Sequence, residues 1–243
     1  MTRCLLALGA NLGDRAATLQ SAMQLIAGLP NTQLLARSSW HETVPVGGPS
    51  NQPAFLNGAV LIETGLEPQK LARLLRDLET QLGRTRHQRW DARMIDIDIC
   101  LMGKRVINEP NLQVPHPRME FRSFVLAPAA EIAGDMVHLR TGWTLAALLE
   151  HWQTHPRKVG VFSHEPQHAE WLSQELSQRL AQEGRDLSGP AAIELVTATE
   201  LPTMLIALDD PGPRQGPVVH ISTQDRELIL HESLAAIHAA WPH

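Results

Sequence analysis

Arg93-Met94-Ile95-Asp96-Ile97-Asp98-Ile99-Cys100-Leu101 alternates isoleucine with two aspartates and runs into an apolar end. Residues two apart on a β-strand point to the same face, so the pattern predicts a strand with Ile95, Ile97 and Ile99 buried and Asp96 and Asp98 projecting together. Two carboxylates aimed at one point repel each other unless a cation lies between them. Arg84, Arg86, Arg89 and Arg93 stand just before the pair. Adjacent carboxylates with several guanidinium groups are what Mg²⁺ and a polyphosphate require, which points to phosphoryl or pyrophosphoryl transfer. The plainer alternative is a strand end with a solvated charged face.

Working outward from this strand, Arg3 to Leu8 reads as another strand, and Gly9 to Asp14 turns the chain into a helix carrying Leu19, Ala22, Met23 and Ile26. Gln33 to Trp40 reads as a second strand, followed by a Gly/Pro-rich loop from Val44 to Pro53 and a third strand from Ala54 to Glu63. Pro68 opens a helix with Leu71, Leu74, Leu75, Leu78 and Leu82 on one face, and Gly83 ends it. The aspartate strand completes β-α-β-β-α-β, an α+β ferredoxin-like arrangement with two helices packed on one face of an antiparallel sheet.

The chain has 243 residues, 43% of them hydrophobic, enough for one large or two small domains. A net charge of −5 disfavours general nucleic-acid or anionic-membrane binding, since such surfaces are electropositive. That charge is uneven: residues 1–156 sum to +1 and residues 157–243 to −6. A boundary near His155-Pro156 follows, with an appended small α/β module over 157–243. Its expected elements are a strand at Val159 to Phe162, a helix from about Gln167 to Ala181, and strands at Ile193 to Ala198, Met204 to Leu208 and Val218 to Ile221. A helix from Arg226 to Ala240 closes it. Cys4 and Cys100 lie in apolar runs and read as reduced, buried thiols, so the expected compartment is the cytoplasm. No segment has the length of a membrane span or of a signal peptide's apolar core.

The G-x-x-x-x-G-K-[ST] phosphate loop is missing, so side chains would have to hold a nucleotide. The arginine run would meet a triphosphate from outside while Asp96 and Asp98 hold metal on the inside, which suffices for a transfer that depends on positioning and charge neutralisation. His116 and Arg122, in Val114-Pro115-His116-Pro117-Arg118-Met119-Glu120-Phe121-Arg122-Ser123-Phe124, are candidates for phosphate or ribose contacts, His116 being otherwise a turn residue. Asn57 is a polar residue inside an apolar strand, suited to a heterocycle edge or to a bulge. Phe55 and Phe124 are core residues or stacking platforms for a flat ring.

These motifs together resemble the 6-hydroxymethyl-7,8-dihydropterin pyrophosphokinases of folate biosynthesis. The resemblance runs over roughly residues 1–155, through Leu6 to Asp14, Pro53 to Asn57, Glu79 to Arg86, Arg93 to Leu101, Val106 to Asn108 and Val114 to Phe124. It implies transfer of the terminal diphosphate of MgATP to the hydroxymethyl oxygen of a reduced pterin, with release of AMP. Two Mg²⁺ ions would lie between Asp96, Asp98 and the triphosphate, with Arg84 and Arg93 supporting transfer. Glu79, Arg86, Ile99, Asn111, His116 and Arg122 match the nucleotide side, and Trp90 the loop that closes over the ligands. Thr43, Pro45, Phe55, Asn57 and Phe124 match the pterin pocket. The chain departs from the pattern in Phe55, where a tyrosine is common, in Asp91 for a usual glycine, in Asn111 for a usual basic residue, and in a loop before Trp90 about one residue short.

Residues 157–243 lie outside the resemblance. His164 and His168 are four apart but lack a third metal ligand, and self-association or a protein partner is the role expected of this part, a degenerate nucleotide-binding remnant being the alternative. Two other readings of the whole remain at this point. A palm-like nucleotidyltransferase would also use paired acids on such a sheet and would release pyrophosphate. A non-catalytic RNA-binding module would share the element order but lacks its aromatic strands.

Overall fold

The structure is a computed structural model that describes residues 1–45, 52–84, 93–154, 158–183, 193–195, 204–208, 217–221 and 223–240. The first half runs β1 (Thr2–Ala10), α1 (Arg15–Ala27), β2 (Thr32–Arg37), β3 (His41–Thr43), β4 (Phe55–Thr64), α2 (Pro68–Gln81) and β5 (Asp96–Met102). Strand order β2-β4-β1-β5, with every neighbouring pair antiparallel, is the ferredoxin-like sheet, and β3 continues along β4 where β2 stops. Asp14 caps α1 by accepting from the Ala17 amide at 3.0 Å. Leu19, Ala22, Met23 and Ile26 of α1 and Leu71, Ala72, Leu75 and Leu78 of α2 then bury against Leu6, Leu8, Ile97 and Ile99 on one face of the sheet.

Residues 33–40 are not one strand. The Ser38 amide donates to the Ala59 carbonyl at 3.0 Å, but the Ala59 amide donates back to the Ser38 hydroxyl at 2.9 Å, so a side chain replaces a backbone carbonyl and the ladder breaks. Trp40 then crosses directly over Gly58, where a Cβ would lie 2.3 Å from its ring. This offset re-aims the chain into β3 and carries Thr43 to the end of the sheet.

The opposite face is covered by elements whose helical character the sequence pattern left unread. They follow β6 (Ile107–Glu109), β7 (Leu112–Val114) and a 3-10 turn (Met119–Phe121): α3 (Ser123–Ala133), the short pair β8 (Val137–His138) and β9 (Trp143–Thr144), and α4 (Leu145–Thr154). Val125, Leu126 and Ala129 of α3 pack on Leu5, Ala59, Leu61 and Cys100, with Leu145, Leu148 and Trp152 behind them.

The remainder is β10 (Val159–Phe162), α5 (Pro166–Gln182), β11 (Ile193–Leu195), β12 (Met204–Ala207), β13 (Val218–His220) and α6 (Arg226–Ala240). Among the described residues its four strands form a parallel sheet in the order β11-β10-β12-β13. One hydrophobic cluster crosses position 156, joining Met119, Phe121 and Val125 to Val161, Leu172, Ile206, Ile229 and Ile237. The Trp152 indole N–H also donates to the Glu120 carbonyl at 2.6 Å in this layer. Among the described residues, no helix is long and apolar enough to cross a membrane. Cys4 and Cys100 are free and buried, and burial pushes the Cys4 thiol up to about 12.

Candidate active site

Three adjacent strands bring their side chains to one end of the sheet on the α3 side. Gly9 of β1 lies opposite Asn57 of β4 and opposite Asp96 of β5, so these residues form a row across the sheet. Asp98 lies two pairs further along, on the same face, opposite Ala7. Around this row is a cavity of about 540 Å³ lined by Thr43, Phe55, Asn57, Arg84, Arg93, Asp96, Asp98, His116, Arg122 and Phe124, among others. That is the size range of small-molecule sites.

The acidic half is tightly organised. Asp96 accepts from Arg84 at 2.6 Å through one oxygen and from Arg93 at 2.6 Å through the other. Arg84 also pairs with Glu79, whose carboxylate accepts from the Ile97 amide at 2.8 Å. The Arg93 backbone is pinned at both polar groups: its N–H donates to the Asn11 side-chain oxygen at 2.7 Å, and its carbonyl accepts from the Asn11 amide at 3.1 Å. Guanidinium groups and carboxylates are thus paired directly with each other. Asp98 sits within 3.6 Å of His116. Loss of hydration in the concave wall, followed by the like charge of Asp96, pushes the Asp98 carboxyl up to about 7. Burial, helped by the Arg122 guanidinium, pulls His116 down to about 4, so His116 is neutral near pH 7.

The apolar half is opposite. Phe55 and Phe124 line the cavity together with Asn57, whose amide N–H donates to the Thr43 hydroxyl at 2.7 Å. Gly9 leaves the floor open: a Cβ there would lie 2.8 Å from the Asn57 side-chain oxygen and 3.9 Å from the Phe55 ring. The Arg122 guanidinium carbon stands 5.8 Å from the centre of the Phe124 ring and ties the two halves together.

Four residues expected at the site line no part of the cavity. Glu79 is buried beneath Arg84 and braces it; Ile99 turns its side chain into the helix-side core; Asn111 is exposed in the turn between β6 and β7; Pro45 lies just beyond Thr43 and Val44. Arg86 and Trp90, with Arg89 and Asp91, lie outside the described residues. Three residues passed over in the sequence are structurally prominent: Gly9, Asn11 and Arg118. Asn11 had a readable signal, being a polar residue directly after an apolar strand and 1% exposed in the fold.

The donor set suits Mg²⁺. This ion is commonly held by one or two carboxylates with its remaining positions filled by substrate phosphates and water, and two carboxylates flanked by arginines offer that. Among the described residues, no group of three or more His, Cys, Asp or Glu forms an all-protein cage.

The family described as 7,8-dihydro-6-hydroxymethylpterin-pyrophosphokinase matches residues 5–134 of this chain. The chain is 42% identical over 137 residues to the 2-amino-4-hydroxy-6-hydroxymethyldihydropteridine pyrophosphokinase of Methylorubrum extorquens, covering 56% of this chain and 86% of that one. It is 46% identical over 127 residues to the enzyme of the same name from Bacillus subtilis, covering 52% and 75%. A crystal structure of Plasmodium falciparum HPPK-DHPS superposes with a TM-score of 0.50 at 12% identity, over 98% of this chain and 79% of that one, a likeness of fold. The matched stretch holds every described residue that lines both halves of the cavity, and with this extent of identity the chain belongs to the 7,8-dihydro-6-hydroxymethylpterin-pyrophosphokinase family.

Proposed function

We propose that this chain transfers the terminal diphosphate of MgATP to the hydroxymethyl oxygen of 6-hydroxymethyl-7,8-dihydropterin, a step of folate biosynthesis. The substrate oxygen forms a bond to the β-phosphorus, the bond from that phosphorus to the α-phosphate oxygen breaks, AMP leaves, and the hydroxyl proton is released. The single observation that carries the reading is the two-sided cavity, with aromatic rings and an amide on one wall and paired carboxylates with arginines on the other.

On the apolar wall, Phe55 and Phe124 stack the flat ring, Asn57 pairs with its polar edge, and Thr43 fixes the Asn57 amide in direction. On the other wall, Asp96 and Asp98 hold Mg²⁺, two ions in this reading, and bound Mg²⁺ supplies charge neutralisation at the phosphates. Arg84 and Arg93 exchange part of their pairing with Asp96 for phosphate oxygens, and Glu79 keeps Arg84 in place during that exchange. Arg122 and the neutral His116 add hydrogen bonds on the nucleotide side, the latter as a donor or acceptor rather than as a cation. Arg86 and Trp90, by the family resemblance, serve the nucleotide side as well. Buried, free Cys4 and Cys100 suit a reducing compartment such as the cytoplasm.

Incubating the full chain with MgATP and 6-hydroxymethyl-7,8-dihydropterin, and following nucleotides by chromatography, tests the reading. AMP should appear in step with the pterin diphosphate. Asp96→Ala and Asp98→Ala should each lower kcat at least about a thousandfold with the circular dichroism spectrum unchanged. Full activity in either variant sinks the metal seat, and pyrophosphate in place of AMP would mean nucleotidyl transfer.

A further inference from the structure

His116, Arg122 and Phe124 reach the cavity from one short segment that belongs to no strand of the main sheet. Residues on β1, β4 and β5 are fixed by the ladders between them, whereas this segment bends through the 3-10 turn Met119–Phe121. The bonds of that bend are long. The Met119 N–H lies 3.3 Å from the His116 carbonyl, the Phe121 N–H 3.5 Å from the Arg118 carbonyl and the Arg122 N–H 3.3 Å from the Met119 carbonyl. Such lengths lie beyond the ordinary range for an amide donor, so the turn holds its own shape only weakly.

Two shorter bonds hold it from outside. The His116 N–H donates to the Cys100 carbonyl of β5 at 2.9 Å and fixes the start of the segment. The Trp152 indole N–H donates to the Glu120 carbonyl at 2.6 Å and fixes its middle. Trp152 sits on α4, 8% exposed, in the hydrophobic cluster that also holds Met119, Phe121 and Val125. The Glu120 side chain is faced from the same stretch of chain. His138 of β8 accepts from the Thr141 amide through Nδ1 at 3.3 Å, which leaves the ring hydrogen on Nε2, 3.7 Å from the Glu120 carboxylate. Trp152 and His138 both lie beyond the family-matched residues 5–134.

We propose that Trp152 is a positioning residue of the active site: by holding the Glu120 carbonyl it sets the spacing between His116 on one side of the turn and Arg122 and Phe124 on the other. The proposal rests on the diphosphate-transfer reading of the cavity. Arg122 and Phe124 follow the anchored carbonyl closely in the chain, so a shift of that carbonyl carries both with it. One lost bond therefore weakens the nucleotide side and the ring side together. Groups that are already in place when a ligand arrives spare it the cost of ordering them, and that saving is what the anchor contributes to affinity.

Trp152→Phe and Trp152→His separate the bond from the packing. The first keeps an aromatic ring and loses the donor; the second loses the benzo ring, but the imidazole Nε2 can take the place of the indole nitrogen and donate. Calorimetric titration of the full chain with Mg²⁺ and α,β-methylene-ATP, an analogue that cannot be cleaved between the α- and β-phosphates, reads the nucleotide side, and KM reads the pterin side. Trp152→Phe should weaken analogue binding and raise KM for the pterin, each about three- to tenfold, the effect of one lost hydrogen bond. Trp152→His should bind the analogue more tightly than Trp152→Phe despite a lower urea midpoint. Leu176→Ala, which opens a hole in the same cluster from α5, should lower the urea midpoint and leave both substrates at wild-type values. Unchanged binding and KM in Trp152→Phe overturn the proposal, as does a loss of binding that follows the urea midpoint across the variants. The comparison of Trp152→Phe with Leu176→Ala decides the matter even if Trp152→His does not fold. AMP formation by the wild-type chain reports separately on the underlying reading. Analogue binding that responds as described without AMP formation removes the activity and keeps the anchor. Normal AMP formation with an unresponsive Trp152→Phe removes the anchor and keeps the activity.

Discussion

Asp98 can hold a proton or share a cation, and the free protein places the balance near neutrality. Its carboxyl is raised to about 7 by lost hydration and by Asp96, so the form able to bind Mg²⁺ prevails above that pH. The sign follows directly: kcat/KM for MgATP should fall as pH drops through about 7, approaching tenfold per unit, because the free enzyme must first release a proton. Raising Mg²⁺ should move that midpoint to lower pH, and a midpoint indifferent to Mg²⁺ would place the titration elsewhere. Gly9 makes the complementary point on the apolar wall. Adding one methyl in Gly9→Ala would bring a carbon to 2.8 Å from the Asn57 side-chain oxygen and force the amide to turn. KM for the pterin should rise about tenfold, the effect of losing one good hydrogen bond, while KM for MgATP holds. Steady-state kinetics with each substrate varied in turn distinguishes the two walls.

At the scale of elements, the 3-10 turn carries a second titration that reports on stability. Glu120 is buried with its carboxylate 3.7 Å from the His138 ring nitrogen, and burial pushes it up to about 7 from an ordinary value of 4.5. A carboxyl with a raised folded-state pKa contributes stability below the unfolded value and loses it as pH rises through the folded one. Glu120→Gln should therefore gain on wild type between about pH 4.5 and pH 7, by on the order of 3 kcal/mol, in urea titrations across that range. His138, held down to about 4 by burial and then by Arg140, acts in the opposite sense, losing stability as pH falls from 6.5 toward 4, so the gain of Glu120→Gln is read most cleanly at pH 6.5 and above. The elements differ in how openly the sequence declares them. The Ile-Asp alternation at the start of β5, from Asp96 to Ile99, and the leucine spacing of α2 are legible because only one face is buried there. α3 is not, since it is apolar on nearly every side, pressed between the sheet and α4, and leaves no period to detect. The break at Ser38 depends on a hydroxyl meeting an amide of another strand, and the brace from Glu79 to Arg84 and Ile97 likewise exists only once α2 lies on β5.

Over the whole molecule, the cluster that crosses position 156 makes the C-terminal extension part of the packing around the 3-10 turn and α3. Residues 1–156 alone would expose apolar surface that α6 covers, so a truncated chain should show a lower urea midpoint than the full chain and bind a hydrophobic dye. A truncated chain with the full midpoint would mean that the shared cluster contributes little. The row Asn57, Gly9, Asp96 has a consequence of another kind. Its members sit on neighbouring strands, so the separation of the amide from the acid is two strand spacings, about 10 Å. Hydrogen bonds between backbones set that length, and no side-chain substitution alters it. The sheet therefore works as a ruler laid between ring and phosphate. A pterin whose hydroxyl stood one carbon further from its ring would overshoot the mark, and changing the residues around it would not move the graduations.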